Sequence, residues 1–192
     1  MSHPNILAKK LVIVGDGACG KTCLLAIKST GMFPEKYTPT VFTTYTIDIV
    51  VDSINIEMQL FDTAGQEAYD RLRPLSYPNT DVVLLCYSVD SPDSLANIKE
   101  KWIPEIDHYC PQAERILVCT KIDLREDKAK NSDQVFCSEE LGREFANQLG
   151  CRYFVQTSAL WNIGVDFMFE QAGRACILPR NKNKGLKKCS IL

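Results

Sequence analysis

The sequence is short of histidine and of long apolar runs, and each shortage excludes something. No stretch approaches the roughly 18–20 apolar residues that cross a bilayer; Val82–Tyr87, among the longest, has six. Met1–Lys10 lacks the apolar core of a secretory leader, so the chain reads as a soluble intracellular domain. With only His3 and His108, and no Cys-x-x-Cys pair, no zinc site can be assembled. The nine cysteines are odd in number: Cys86 and Cys119 lie in apolar runs, Cys176 on a helical apolar face and Cys189 near the end. Reduced thiols are expected. A basic excess is also missing. Five basic residues follow from Arg180 onward with no acidic one, leaving 17 basic against 24 acidic residues and a net charge of −7 before that point. Such a body argues against nucleic-acid binding, whereas the short basic tail suits an anionic surface. At 45% hydrophobic and 24% charged residues, the 192-residue chain is composed like one globular domain, and wholesale disorder is excluded.

The elements alternate as in an α/β fold. Leu11–Val14, Val82–Tyr87 and Ile116–Cys119 are continuous apolar runs suited to parallel strands covered on both faces. Leu95, Ile98, Trp102, Ile103 and Ile106 follow helical spacing after Ser91-Pro92, a cap followed by proline at the first helical position. Pro104 is expected to kink that helix. Leu141, Phe145 and Leu149 predict a helix after Ser138, and Val165, Phe169, Ala172 and Cys176 predict a last one. Period-two alternation in Tyr45–Asp52 and Ile54–Phe61, on either side of Asp52-Ser53, predicts a β-hairpin, and hence one antiparallel strand at a sheet edge. Tyr153–Gln156 is a weaker final strand. There is no internal repeat and no second domain.

Gly15-Asp16-Gly17-Ala18-Cys19-Gly20-Lys21-Thr22 matches G-x-x-x-x-G-K-[ST] between a strand and a helical segment. Glycines let successive N–H groups curl onto phosphate oxygens, aided by the positive helix N-terminus. The nucleotide-binding set expected here is Gly17, Ala18, Cys19, Gly20, Lys21, Thr22 and Cys23. Lys21 supplies a charge to the β- and γ-phosphates, and the Thr22 hydroxyl suits Mg²⁺. Cys19 reads chiefly as a small space-filler; the alternative is a redox-sensitive thiolate favoured by Lys21 and the loop amides.

Phosphate binding alone leaves ATPases and small-molecule kinases open. Thr120-Lys121-Ile122-Asp123 follows an apolar strand, where a carboxylate can accept from both N1–H and the 2-amino group of guanine; adenine offers neither donor. Ser158-Ala159-Leu160 follows the last strand and can aim a backbone N–H at the guanine oxygen. Together with Asp62-Thr63-Ala64-Gly65-Gln66, in this order, these segments resemble the Ras superfamily of small GTPases. The resemblance is closer to its Rho/Rac family over Gly15–Leu25, Tyr37–Phe42, Asp62–Pro78 and Ser88–Leu95.

That resemblance covers nearly the whole chain. It implies an α/β fold of the P-loop NTPase class, a Ras-like G domain (residues 1–179) with a six-stranded, mostly parallel sheet, one antiparallel strand and flanking helices. A basic tail occupies 180–192. Phe33 would lie edge-on to the guanine, Lys121 would pack its stem over the base and Asp123 would select it, with Thr120, Ser158, Ala159 and Leu160 completing the pocket. Thr40 would ligate Mg²⁺ beside Thr22 and sense the γ-phosphate; Tyr37 would close over the site; Asp62 would hold Mg²⁺ through water. Gly65 would contact the γ-phosphate, and Gln66 would orient the attacking water. Three positions depart from the commonest family pattern: Thr120 stands where Asn is usual, Phe61 where many Rho proteins carry Trp, and Leu124–Cys137 is a few residues short.

Gly31–Thr44 contains Lys36 and no arginine. Intrinsic turnover is therefore expected on the order of 10⁻⁴–10⁻³ s⁻¹, with roughly 10³–10⁵-fold available from an arginine supplied in trans; Gly17 would leave room for it. Cys189-Ser190-Ile191-Leu192 fits the C-a-a-X pattern, with terminal Leu favouring a geranylgeranyl group on Cys189. The basic run is the second membrane signal. The resemblance implies as partners an exchange factor, a GTPase-activating protein, a dissociation-inhibitor chaperone and effectors that read the switches, with actin regulation among the outputs. The expected place is the cytoplasmic face of a membrane, the plasma membrane first, with a cytosolic pool. Two other classes compete: a scaffold that holds GTP without hydrolysing it, and a P-loop kinase, which would leave the tail motif unexplained.

Overall fold

Two strand patterns with different periods build one sheet. In the computed structural model, which describes residues 6–36, 39–126 and 135–178, the strands are β1 (Leu7–Val14), β2 (Phe42–Val51), β3 (Ile54–Thr63), β4 (Val82–Ser88), β5 (Glu114–Thr120) and β6 (Tyr153–Gln156). Their order is β2-β3-β1-β4-β5-β6, with β2 antiparallel at the edge and the others parallel. The alternating hairpin pairs Phe42 with Thr63 at one end and Val51 with Ile54 at the other. Asp52 and Ser53, both at positive φ (49° and 66°), form the tight turn that matches strand twist. Arg174 holds that turn through Asp52, at 3.1 and 3.2 Å.

The helices are α1 (Lys21–Thr30), α2 (Pro92–Asn97), α3 (Ile103–Tyr109), the short α4 (Asp123–Glu126), α5 (Glu139–Gln148) and α6 (Val165–Ile177). They cover both faces of the sheet, which is why β4 is buried along its whole length. Leu11, Ile13, Met58, Leu84 and Phe169 lie in one core; Val12, Val14, Leu85, Leu95 and Trp102 lie in the other. Among the described residues no helix is long and apolar enough to cross a membrane, and the eight described cysteines are all free.

Two expectations need correction in detail. The disruption expected at Pro104 takes the form of a π-helical turn, Ile98–Trp102, in which the Ile103 N–H reaches back to the Ile98 carbonyl. Proline has no N–H for a carbonyl four residues earlier, and the widened turn absorbs the misfit. On α5, Leu141 does not face the core: it is exposed, while Gly142 and Ala146 are buried. The helix lies too close to the sheet for a large side chain there. A Cβ on Gly142 would stand 2.4 Å from Phe154 Cζ and 2.6 Å from the Tyr87 hydroxyl. Gly142→Ala should therefore lower stability by about 1–3 kcal/mol despite the better helix propensity of alanine. Thermal denaturation tests this; an unchanged or higher midpoint would show that α5 can retreat at no cost.

Tyr37, the tail from Arg180 with Cys189, and most of the shortened stretch after Leu124 lie outside the described residues.

Candidate functional site

The parallel strands end together, and the candidate residues gather where they end. After β1 the chain turns sharply at Gly15, whose φ of 142° and close approach to β4 admit no side chain; a Cβ there would be 2.1 Å from the Cys86 carbonyl oxygen. The loop then runs through Ala18, at φ 60°, to Gly20, which precedes α1 in the left-handed conformation. Lys21, almost fully buried, donates from Nζ to the carbonyls of Gly15 (2.8 Å) and Asp16 (2.7 Å), so its charge sits inside the loop. Gly17, Ala18, Gly20, Lys21, Thr22 and Cys23 line a cavity of about 440 Å³ that also meets Thr40, Gly65, Gln66 and Lys121.

At one wall the Thr22 and Thr40 hydroxyls are 2.5 Å apart, and Thr40 Oγ1 stands 3.5 Å from Asp62 Oδ2. Asp62 is fully buried, and its other oxygen, Oδ1, has no hydrogen-bond partner. Burial pushes this carboxyl's pKa up, against the opposing pull of the Thr22 hydroxyl, Lys21 and the Thr40 hydroxyl. Three hard oxygens with one buried lone pair unmatched form a donor set that suits Mg²⁺. The sign of the pH dependence follows. Without a cation the unfolded chain releases this proton first, so the fold loses stability as pH rises above the ordinary carboxylate value of 3.8. In EDTA at neutral pH, Asp62→Asn should melt above wild type, and only wild type should gain from added Mg²⁺. Equal response of both proteins to Mg²⁺ would remove Asp62 from the cation site.

The second half of the site is a cavity of about 120 Å³ bounded by Gly20, Cys23, Leu24, Phe33, Thr120, Lys121, Asp123, Ala159 and Leu160. Gly20, Cys23 and Lys121 border both cavities. Lys121 adopts φ 57°, a conformation rarely held by a side-chain-bearing residue outside sites where the surroundings enforce it. Asp123 is buried, and Ser158 Oγ donates to its Oδ1 at 2.6 Å while accepting the Trp161 N–H at 3.1 Å. The carboxylate is thus aimed from the β6 side. The Ser158 amide is used on the Ile163 carbonyl (2.9 Å), which points to Ala159 and Leu160 for any amide directed at a base.

Thr120 has a defined task in place of the usual Asn. Its hydroxyl lies 2.6 Å from the Cys19 carbonyl and 3.0 Å from the Tyr87 carbonyl, tying the base segment to the phosphate loop and to β4. Cys19 is 2% exposed, and its Sγ faces the Cys86 carbonyl at 3.5 Å. Burial raises its pKa, and Lys21 only partly offsets this. Its burial suits the space-filling reading of Cys19.

Gly65 lies against the loop backbone; a Cβ on it would be 2.3 Å from the Gly15 oxygen and 2.6 Å from the Gly17 nitrogen. Gln66 follows, half-buried, and a Cβ on Gly17 would sit 3.6 Å from its Cγ, at ordinary contact distance. A small side chain at Gly17 therefore fits the fold but occupies the ground beside Gln66.

The family model described as Ras family matches residues 10–178. The chain belongs to the Ras family. As a Ras-family protein it is a GTP-binding molecular switch and a small GTPase, a class that binds GTP or GDP and generally Mg²⁺. The six-stranded sheet with one antiparallel edge strand and flanking helices is that of a Ras-like G domain.

Three residues of this Ras-family site escape a motif reading. Asp16 occupies a free position of the loop pattern, yet its carboxylate accepts from Asn97 Nδ2 (2.7 Å) and Trp102 Nε1 (2.8 Å). Trp102 looks from its spacing like a plain core residue; the one available signal is that a buried indole N–H needs an acceptor. Arg73 lies seven residues past Gln66 within the stretch that resembles the family, but nothing in that stretch marks it as buried or gives it a partner.

Proposed function

We propose that this chain is a Rho/Rac-type switch that binds guanine nucleotide, hydrolyses GTP slowly and presents a nucleotide-dependent surface to effectors at a membrane. One observation carries the reading. A carboxylate aimed by Ser158 at an apolar pocket and a hydroxyl–carboxylate–lysine set beside a glycine-rich loop are joined through Lys121 into one elongated site. A base and a phosphate chain fit that division.

In this reading Asp123 accepts the two guanine N–H groups, Ala159 and Leu160 supply loop amides, Phe33 lies edge-on to the ring and the Lys121 stem covers its face. Lys21 leaves its loop carbonyls for phosphate oxygens. Thr22, Thr40 and, through water, Asp62 would hold Mg²⁺, which would supply charge neutralisation on the phosphates. Gln66 orients a water for in-line attack on the γ-phosphorus; the new P–O bond forms as the bond to the bridging oxygen breaks, and GDP and phosphate result. Lys21 and the loop amides stabilise charge as it moves to the leaving oxygen. With no arginine in the described part of the first switch, the rate stays near the unassisted scale of about 10⁻⁴–10⁻³ s⁻¹ until a partner inserts one beside Gly17.

Thr40 and Gly65 are tethered by the γ-phosphate, and its loss releases both switches. Effectors, an exchange factor, an activating protein and a dissociation-inhibitor chaperone read these surfaces, and cytoskeletal regulation is the output we assign. Residues 1–179 form the switch domain. The tail carries a geranylgeranyl group on Cys189 beside five basic residues, and the cytoplasmic face of the plasma membrane is the expected location.

The test is single-turnover hydrolysis of γ-labelled GTP with Mg²⁺. Wild type should turn over slowly, Gln66→Leu should lose roughly 10²-fold or more, and excess ATP should not compete. Stable GTP binding with no turnover, even with an arginine-bearing activator of this family, would replace the timer with a GTP-holding scaffold.

A further inference from the structure

The second switch begins at Ala64 and runs outward. Glu67, Ala68 and Asp70–Leu72 are exposed, and the only regular structure before Arg73 is a three-residue 3₁₀ turn, Glu67–Tyr69. Such a stretch has little apolar burial to fix its start, although Gln66 must stand at a defined distance from the phosphate loop.

Arg73 meets that need. Its side chain is fully buried, and Nη1 donates to the Ala64 carbonyl at 2.8 Å, closing the outward loop on itself. The rest of the fork is fixed elsewhere. Nε and Nη2 grip the two Glu105 oxygens at 2.7 and 2.8 Å, and Nη2 also reaches Asp70 at 2.6 Å. The guanidinium lies 4.5 Å from the centre of the Trp102 ring, whose N–H is the donor to Asp16 of the phosphate loop. One indole therefore references both walls of the phosphate cavity: the loop through its N–H, and the start of the second switch through the cation on its face. Only a planar five-donor fork spans a carbonyl, a bidentate carboxylate and a ring at once; an ammonium does not.

Resting on the functional reading above, we infer that Arg73 is a positioning residue for hydrolysis. Clamped by Glu105 and Trp102, it sets the Ala64–Gly65–Gln66 backbone against the phosphate loop so that the glutamine side chain meets the attacking water. A displacement of an ångström at a catalytic group is enough to cost orders of magnitude in rate.

The experiment uses the full chain, loaded with γ-labelled GTP, as wild type, Gln66→Leu, Arg73→Lys, Trp102→Phe and the double variant of the last two. Single-turnover hydrolysis and release of fluorescent GDP are measured side by side. Arg73→Lys should slow hydrolysis about tenfold or more while GDP release stays within twofold, because the base pocket is remote from the clamp. Trp102→Phe keeps a ring face but loses the N–H, and should slow hydrolysis less. The double variant should be no slower than Arg73→Lys alone, since both changes cut one path. A merely structural role predicts lower melting temperature and faster GDP release with hydrolysis unchanged, and that result overturns the inference. Should Arg73→Lys not fold, Glu105→Gln loosens the same fork without removing the cation and must slow hydrolysis; an unchanged rate overturns the inference equally. Wild type that turns over and is silenced by Gln66→Leu upholds the functional reading even then. Wild type with no turnover overturns both.

Discussion

Asp123→Asn should lower affinity for GDP by roughly 10²–10⁴-fold and transfer preference to xanthosine diphosphate. The argument is one of donors and acceptors. A carboxylate presents only acceptors, and guanine presents two donors, N1–H and the 2-amino group. Two charge-assisted hydrogen bonds of about 1.5–3 kcal/mol each set the scale. An asparagine retains one acceptor and turns an N–H toward a donor, leaving polar groups unpaired in a buried site where Asp123 is 8% exposed. Xanthine replaces the amino group with a carbonyl, which accepts the new amide N–H. Ser158 still donates to Oδ1, so the side chain keeps its aim. Competition of each diphosphate against fluorescent GDP reads both effects. GDP affinity within tenfold of wild type would mean that Asp123 is a structural carboxylate and the base lies elsewhere.

Gly65→Ala should reduce single-turnover hydrolysis by about 10²-fold or more while GDP affinity changes by only a few-fold. The added Cβ would fall 2.3 Å from the Gly15 oxygen and 2.4 Å from the Asp16 carbonyl carbon, both backbone. The loop cannot withdraw, because Gly15 is itself pressed against the Cys86 carbonyl. The second switch must therefore move, taking Gln66 with it, and displacement of a positioned group by about 1 Å costs on the order of 10²-fold. The base pocket has no contact with Gly65, which is why nucleotide binding is spared. If hydrolysis persists at the wild-type rate, Gly65 and Gln66 do not sit at the reacting phosphate.

The parts of the fold legible from residues alone are those with a period or a fixed spacing. Alternation on both sides of Asp52-Ser53 announces the hairpin because side chains on a strand point to opposite faces, and the positive φ at both turn residues agrees. The Ser91 cap appears as read, its hydroxyl accepting from an amide three residues on, and Ser138 caps the helix that follows it in the same way. Leu141 misleads because periodicity marks which residues could form a face; it does not measure the gap into which that face must fit. In the phosphate loop, the free positions of a motif are silent by construction, and Asp16 is one of them.

The sequence by itself determined the chemistry: a loop that can cradle phosphate, a carboxylate suited to guanine and a glutamine suited to placing water all follow from residue types at short range. Tertiary structure alone decided how those pieces are held. Ser158 meets Asp123 across 35 residues, Thr120 meets Cys19 across 101, Trp102 meets Asp16 across 86 and Arg73 meets Glu105 across 32. Such pairs leave no local mark, because a hydrogen bond between distant residues depends on the sheet order and the depth of burial that bring them together. Motifs record what a site must touch, whereas the supporting contacts are set by packing.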